Sequence, residues 1–279
     1  MKFVNLVRKA PLSAQLGLLL CAAFTLVAAL AHWIAPFDSA AIVGDVWMPI
    51  SAKHWLGTDN LGRDLMSRLI QGTQTTLVIA GLATILSFTL GSVAGFVASV
   101  AGGWVDMALS RAVDVLMAIP TLIFALVVLS VFPSTVPVLI LVMGILDSTR
   151  VYRLARAVAM DINVMDFVEA ARLRGEKTSW IVFREILPNA LTPLVSELGM
   201  RFIFAVLFLS ALSFLGLGVQ PPDADWGGLV KENKEGIVFG IPAGLAPAAA
   251  IALLTIAVNL VADWVLNLTS NVRGEQGNV

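Results

Sequence analysis

TLVIAGLATILSFTLGSVAGFVASV, residues 76–100, sets the class of this protein. The stretch is apolar apart from its hydroxyl groups, and no ionisable side chain stands between Arg68 and Asp106. A helix needs about 20 such residues to cross the roughly 30 Å hydrocarbon core of a bilayer. The rest of the chain agrees with that reading. It is 58% hydrophobic and 13% charged, with a mean hydropathy of +0.89, whereas an ordinary soluble domain carries about 25% charged residues. Such a composition is solvated only when lipid is the outer solvent, so the sequence predicts an all-α integral membrane protein.

Working outward, the pattern yields six candidate spans: Leu12–Ala35, Thr76–Val100, Asp114–Val131, Val136–Val151, Leu198–Val219 and Ile237–Leu266. The fourth is the shortest uninterrupted run. The first has a signal-peptide look, because Lys2, Arg8 and Lys9 precede it and Ala29-Leu30-Ala31 resembles a cleavage site. The apolar run continues through Trp33 and Ile34 and further spans follow, which favours an uncleaved anchor. The chain divides into an N-terminal span with an outer segment (residues 1–73), a five-span core (74–268) and a tail (269–279).

Lys and Arg placement gives the orientation. With both termini cytoplasmic, the inner segments hold Lys2, Arg8, Lys9, Arg111, Arg150, Arg153, Arg156, Arg172, Arg174, Lys177, Arg184 and Arg273, and the outer loops only Lys53, Arg63, Arg68, Lys231 and Lys234. The 7 tryptophans fall near span ends or in loops, as interfacial aromatic residues do. Pro120, Pro242 and Pro247 mark kinks, and Gly91 with Gly95 forms a GxxxG pair that permits close helix approach. Three local ion pairs are expected near the inner face: Arg111 with Asp114, Asp147 with Arg150, and Glu197 with Arg201.

The composition also excludes functions. A net charge of −1 gives no basic field for nucleic acid. Cys21 is the single cysteine, and His32 and His54 are the only histidines, so neither an intrachain disulfide nor a histidine-rich metal centre can form. No Gly-x-x-x-x-Gly-Lys-Ser/Thr loop and no His-Glu-x-x-His motif occurs.

Between the fourth and fifth spans lies a polar stretch, residues 150–189. Within it, DFVEAARLRG (166–175) reads as a short helix. Asp166 is placed to cap its start, Glu169 to close a capping box, and Gly175 to stop it in a left-handed conformation. At about eight residues it is too short to be stable alone, so something must hold it. Ala170 and Ala171 would let a partner come close, and Arg172 and Arg174 offer rim charge. A second helix is expected to start near Thr178 or Ser179 and end before Pro188. An amphipathic segment lying on the membrane is the alternative reading.

Glu169-Ala170-Ala171, then Gly175, then Ile186-Leu187-Pro188, resembles the EAA motif of ABC importer permeases, in the form found in the dipeptide, oligopeptide and nickel branch. Two further blocks resemble that branch. HWLGTDNLGRD (54–64) is similar to its HxLGTDxLGRD signature, through His54, Gly57, Thr58, Asp59, Gly62, Arg63 and Asp64. SFLGLGVQPP (213–222), followed by Trp226-Gly227, is similar to its second signature, through Gly216, Gly218, Pro221 and Pro222. The resemblance implies the type I importer permease fold in the bacterial inner membrane, with residues 166–175 as the coupling helix that seats in an ATPase. It further implies two ATPase subunits that use ATP and Mg, a second permease subunit and an extracytoplasmic solute-binding protein. This chain itself would be non-catalytic and bind no cofactor. Leu209, where the branch often has Glu, and the tail after Trp264 depart from the pattern and leave the solute open. An ion-driven secondary carrier is the competing function, for which the sequence offers no clear inverted repeat.

Overall fold

The computed structural model describes residues 10–276, with side chains described through residue 268. Lys2, Arg8, Lys9 and the side chain of Arg273 lie outside the described residues. The described chain is helical, and its β-pairing consists of two isolated bridges, Ile42 with Arg63 and Thr58 with Asp64. Helix α1 is Leu12–Ile34, α2 is Leu65–Ala101, α3 is Gly103–Ala118, α4 is Thr121–Val131 and α5 is Val136–Asn163. Helix α6 is Asp166–Leu173, α7 runs through Thr178–Leu215, α8 is Trp226–Asn233 and α9 is Leu245–Gln276. Short 3₁₀ turns at Lys234–Phe239 and Pro242–Gly244 lead into α9.

Most of each expected span is helical, with informative shifts: the fifth was read to Val219 but α7 ends at Leu215, and the sixth was read from Ile237 but its first residues form the 3₁₀ turns before α9. Four helical stretches are long and apolar enough to cross a membrane unaided: α1, α2, α7, and Pro242–Leu268 within the last helical region. The third expected span is instead a bent pair, α3 and α4, at 85° to each other. The break follows from Pro120. Its ring forces the preceding Ile119 out of the helical region, to φ −94° and ψ 130°, and it supplies no N–H to continue the ladder. Helix α2 begins at Leu65 rather than Thr76, and it runs unbroken across residues 73 and 74. The polar residues of its first turns are buried, which an apolar-run reading discards. Helix α5 continues past Val151 to Asn163, its last turns carrying charge. Pro188 does not end a helix. The turns at Ile181–Ile186 are π-helical, and the wide register before the proline lets the helix continue through it into the span.

The most extensive packing is α2 against α5. It is possible because the GxxxG pair faces the partner backbone. A Cβ on Gly91 would lie 2.6 Å from both the Ser148 carbonyl and the Val151 Cβ, and one on Gly95 would lie 2.8 Å from the Arg156 nitrogen. Around that seam Ile79, Ala83, Met143, Leu146, Val206 and Leu209 form the core, with Trp226 of α8 inserted into it. Helix α9 packs on α1 and α7, and α1 on α2.

Gly91→Ala and Gly95→Ala are expected to cost about 1–3 kcal/mol each by overpacking, read as a fall in the thermal midpoint of the detergent-solubilised protein. Gly81→Ala, with nothing within 4 Å of the new methyl, should be neutral or slightly stabilising.

Candidate functional site

The conspicuous residues gather in two places, one at each end of the bundle, with a charged cluster between them. At one end the 54–64 block folds into a compact knot. Gly57 and Gly62 both have φ of +76°, and a Cβ on either would lie 2.2 Å from a backbone carbonyl, of Met48 and Gly44 respectively. Thr58 donates to the Asp45 carbonyl and accepts from the Met48 N–H. Asp64 caps α2 by accepting from the Ser67 N–H at 2.8 Å, and it also holds His54 Nδ1 at 2.9 Å.

Asp59 is fully buried and organises the knot. One carboxylate oxygen accepts the N–H groups of Leu61 and Arg63, and the other accepts Arg63 Nε and Arg68 Nη1, each at 2.7 Å. Glu232, from α8, meets the same two guanidinium groups, with Arg63 Nη2 at 2.8 Å and Arg68 Nη1 closer still. Two arginines thus face two carboxylates, which is what burial of charge requires. Asn233 adds a second tie, accepting from the Asn60 N–H and the Trp47 indole.

Glu232 is in reach because of how the 213–228 block turns the chain back. Gly216, at φ +94°, stops α7, and the Pro221–Pro222 peptide bond is cis. Asp225 then caps α8 by accepting from Gly227 and Gly228. Gly227 lies against α7 so closely that a Cβ would sit 2.4 Å from the Ser210 carbonyl oxygen. Trp226 is fully buried, its backbone N–H donating to Thr76 and its indole to the Leu69 carbonyl. The two sequence blocks are therefore halves of one cap on α2 and α7. Arg68, Glu232, Asn233 and Asp225 were not singled out by sequence. Arg68 stands one turn beyond Asp64, but nothing local points to Glu232.

At the opposite end lies α6. Its start is not a capping box. Met165 is the N-cap, without a side-chain bond, and Asp166 and Glu169 sit in the first turn, where they complement the helix dipole. The chain enters through a turn, Met165 N–H to the Ile162 carbonyl, which leaves Asp166 inside the helix. Its end is a Schellman motif: Glu176 donates to Ala171, Gly175 donates to Arg172, and Gly175 has φ +78°. Val168 and Ala171 are completely buried against Phe96 of α2, Ala155, Ala159 and Ile162 of α5, and Ile181, Val182 and Ile186 of α7. Glu169, Ala170, Arg172 and Arg174 are exposed, as is Leu173 at 84%. Arg172 bonds Asn163, and Arg174 approaches Glu185 at 3.9 Å. Leu187 is half-buried and Pro188 exposed. The two alanines thus divide, Ala171 inward and Ala170 outward.

The expected ion pairs are partly redistributed. Glu197 and Arg201 bond at 2.8 Å, and Asp147 and Arg150 lie 3.6 Å apart. Asp114 does not pair with Arg111. It meets Arg153 of α5 at 2.9 Å, because the packing of α3 beside α5 supplies a cation across the helices in place of the neighbour on its own helix. Arg201 also reaches Asp147 at 3.3 Å, joining α5 and α7. Among the described residues no three His, Cys, Asp or Glu side chains converge as a metal site.

With this geometry in hand, residues 87–270 match the family model of the binding-protein-dependent transport system inner membrane component. The chain belongs to that family. It is 35% identical over 255 residues to a putative peptide transport system permease protein of Brucella suis, covering 90% of this chain and 85% of the relative. It is 32% identical over 213 residues to a glutathione transport system permease protein of Pectobacterium atrosepticum, covering 76% and 71%. A dipeptide transport system permease protein of Alkalihalophilus pseudofirmus is 30% identical, covering 76% and 70%. The fold is that of a chain of the MetNI methionine ABC transporter in an inward-facing form, at TM-score 0.57 and 19% identity, covering 74% of this chain and 97% of that one. As a member of this importer permease family the chain is a multi-pass membrane component. The matched region contains α6 and the second signature block, while the 54–64 knot lies ahead of it.

Burial pushes the Asp225 carboxyl up to about 6 from 3.8. Bonds from Ser213, Gly228 and Gly227 oppose that shift, and the Glu232 charge adds to it. The fold therefore favours the neutral acid. Its contribution is fully present below about pH 4 and is lost as pH rises through about 6. On acidification from about pH 7 to 4, the wild type should gain stability relative to Asp225→Asn, on the order of 2 kcal/mol, in thermal melts of the two proteins across pH. Glu232→Gln removes one of the two carboxylates facing Arg63 and Arg68 and should cost about 3 kcal/mol, in the same assay near pH 7.

Proposed function

We propose that this chain forms half of the solute path of a binding-protein-dependent ABC importer for peptides or peptide-like solutes. In this reading both termini are cytoplasmic, α6 is the seat of a cytoplasmic ATPase subunit, and the outer cap receives the solute-binding protein. The observation that carries it is the division of α6. One face is locked into three spans through Val168 and Ala171, while the other presents Glu169, Ala170 and an almost bare Leu173. A helix this short is not stable alone, and one that leaves a leucine in solvent gains by being covered. Exposed Val164, Met165 and Phe183 widen the same surface.

The relatives' names, as permease proteins of peptide, dipeptide and glutathione transport systems, support a solute with a peptide backbone. An open apolar groove of about 580 Å³ between α7, α8 and α9, lined by Leu207, Ala211, Phe214, Ala248 and Ile251, suits a second permease subunit packed side by side. ATP and Mg would be used by the ATPase partners, consistent with the lack of a phosphate-binding loop motif here. An ion-driven carrier gives α6 no task, and family membership disfavours it.

The two alanines supply the test. Ala170→Trp adds bulk on the free face. It should leave the subunit folded, with an unchanged thermal midpoint, while weakening ATPase co-purification by about tenfold or more, the effect of losing ~1.4 kcal/mol or more. Ala171→Trp should lower the thermal midpoint itself. Full ATPase attachment and peptide uptake in Ala170→Trp would refute the coupling role.

A further inference from the structure

The groove between α7, α8 and α9 is apolar along its length and charged at one end. Leu207, Phe214 and Ile256 form bulky walls that are 45%, 41% and 53% exposed, and the small residues Ala211, Ala248 and Ala252 complete the lining. The hydroxyl groups in it are already used. Ser210 donates to the Val206 carbonyl and Thr255 to the Ile251 carbonyl, each within its own helix. The groove therefore offers little to a polar solute and suits an apolar occupant. It follows α7 and α9 for about two turns each, about 12 Å.

Two cations stand at the α8 end. Val230 of α8 lines the groove, and Lys231 comes next in the chain. The Lys231 ammonium lies where Gly216 lacks a side chain, since a Cβ there would be 2.6 Å from Nζ. Lys234 Nζ sits 5.3 Å from the centroid of the Phe214 ring, one of the groove walls. Both lysines are exposed, and neither takes part in an ion pair among the described residues. The neighbouring carboxylates are directed elsewhere. Asp225 caps α8, and Glu232 meets Arg63 and Arg68. Asp223 and Glu235 are exposed and pair with neither lysine. An apolar groove that ends on two uncompensated cations is complementary to an apolar body that ends on an anion.

On the reading that a second permease subunit packs side by side here, we propose that it lays an apolar helix in this groove and brings an aspartate or glutamate side chain to Lys231 and Lys234. Ala248 and Ala252, one turn apart on α9, let a partner backbone approach closely, which is the gain that drives helix association in lipid. An acyl chain has no backbone to place there. A second copy of this chain has the wrong shape and charge. Seated groove to groove, it would set concavity against concavity and lysines against lysines. The lysines thus select a different chain as partner.

The test uses the assembled importer, purified through a tag on this chain. A carbodiimide joins a lysine amine to a carboxylate only where the two touch. In the wild-type complex it should couple Lys231 or Lys234 to an Asp or Glu of a second multi-span chain, located by mass spectrometry of the joined peptides. Lys231→Arg with Lys234→Arg should lose that bond yet keep the assembly, because the charge remains. Lys231→Gln with Lys234→Gln should keep the thermal midpoint of this subunit and lower the recovered second chain by about threefold or more, the scale of an ion pair. Full recovery of the second chain with the glutamine pair, or coupling only to Asp223, to Glu235, to another copy or to nothing, overturns the anion contact. A benzophenone amino acid at Ala252 separates that failure from failure of the side-by-side packing. Its attachment to the second permease upholds the packing whatever the lysines do. Attachment only to lipid or to a copy of this chain overturns the packing and the anion contact together.

Discussion

Asp59 is a carboxylate with no exposure to solvent, held by two guanidinium groups and two backbone N–H groups. The capped end of the molecule depends on that arrangement. A buried charge is tolerated only when each of its partners is present and well placed, so Asp59 fixes Arg63 and Arg68, and those two fix Glu232. Glu232 can meet them only if α8 folds back beneath the cap. That in turn demands the close seat of Gly227 on Ser210 and the burial of Trp226. One electrostatic requirement thereby ties the chain before α2 to the chain after α7, which are separated by most of the sequence.

A second constraint, steric this time, governs the membrane interior. Lipid tails are as apolar as the side chains that face them, so helices gain little by hiding apolar surface from one another. Close backbone approach and satisfied polar contacts carry the association instead. Gly91 and Gly95 against the backbone of α5 supply the first, and the Ser87–Asp147–Arg201–Glu197 chain supplies the second.

The helices were legible from the sequence because apolar length is a local property, and α1 matches its expected bounds almost to the residue. Where the reading slipped, a non-local partner had changed the outcome. Residues 65–75 fell outside the apolar run that marked the span, but α2 includes them, with Ser67 held by Asp64, Arg68 by Asp59 and Gly72 seated against Trp226. Asp114 had a cation three residues away and took one from another helix. Asp166 had the right spacing for a cap, but the turn at Met165 put it inside the helix. For the site, Glu169, Ala170 and Gly175 were visible as a motif. That Ala170 points out and Ala171 in depends on which face α2, α5 and α7 occupy. Glu232 was invisible because its two partners are 164 and 169 residues away.

The inward face of α6 rests on α2, α5 and α7 at once. Interiors packed at crystal-like density do not compress, so a thrust on this short segment cannot be absorbed by whichever span lies nearest. It is shared, as a load on a keystone is shared by the stones beneath. The turn at Ile181–Ile186, with its wider winding, is the one of the three supports whose hydrogen-bond ladder is not regular, and therefore the place where yielding disturbs the fewest bonds.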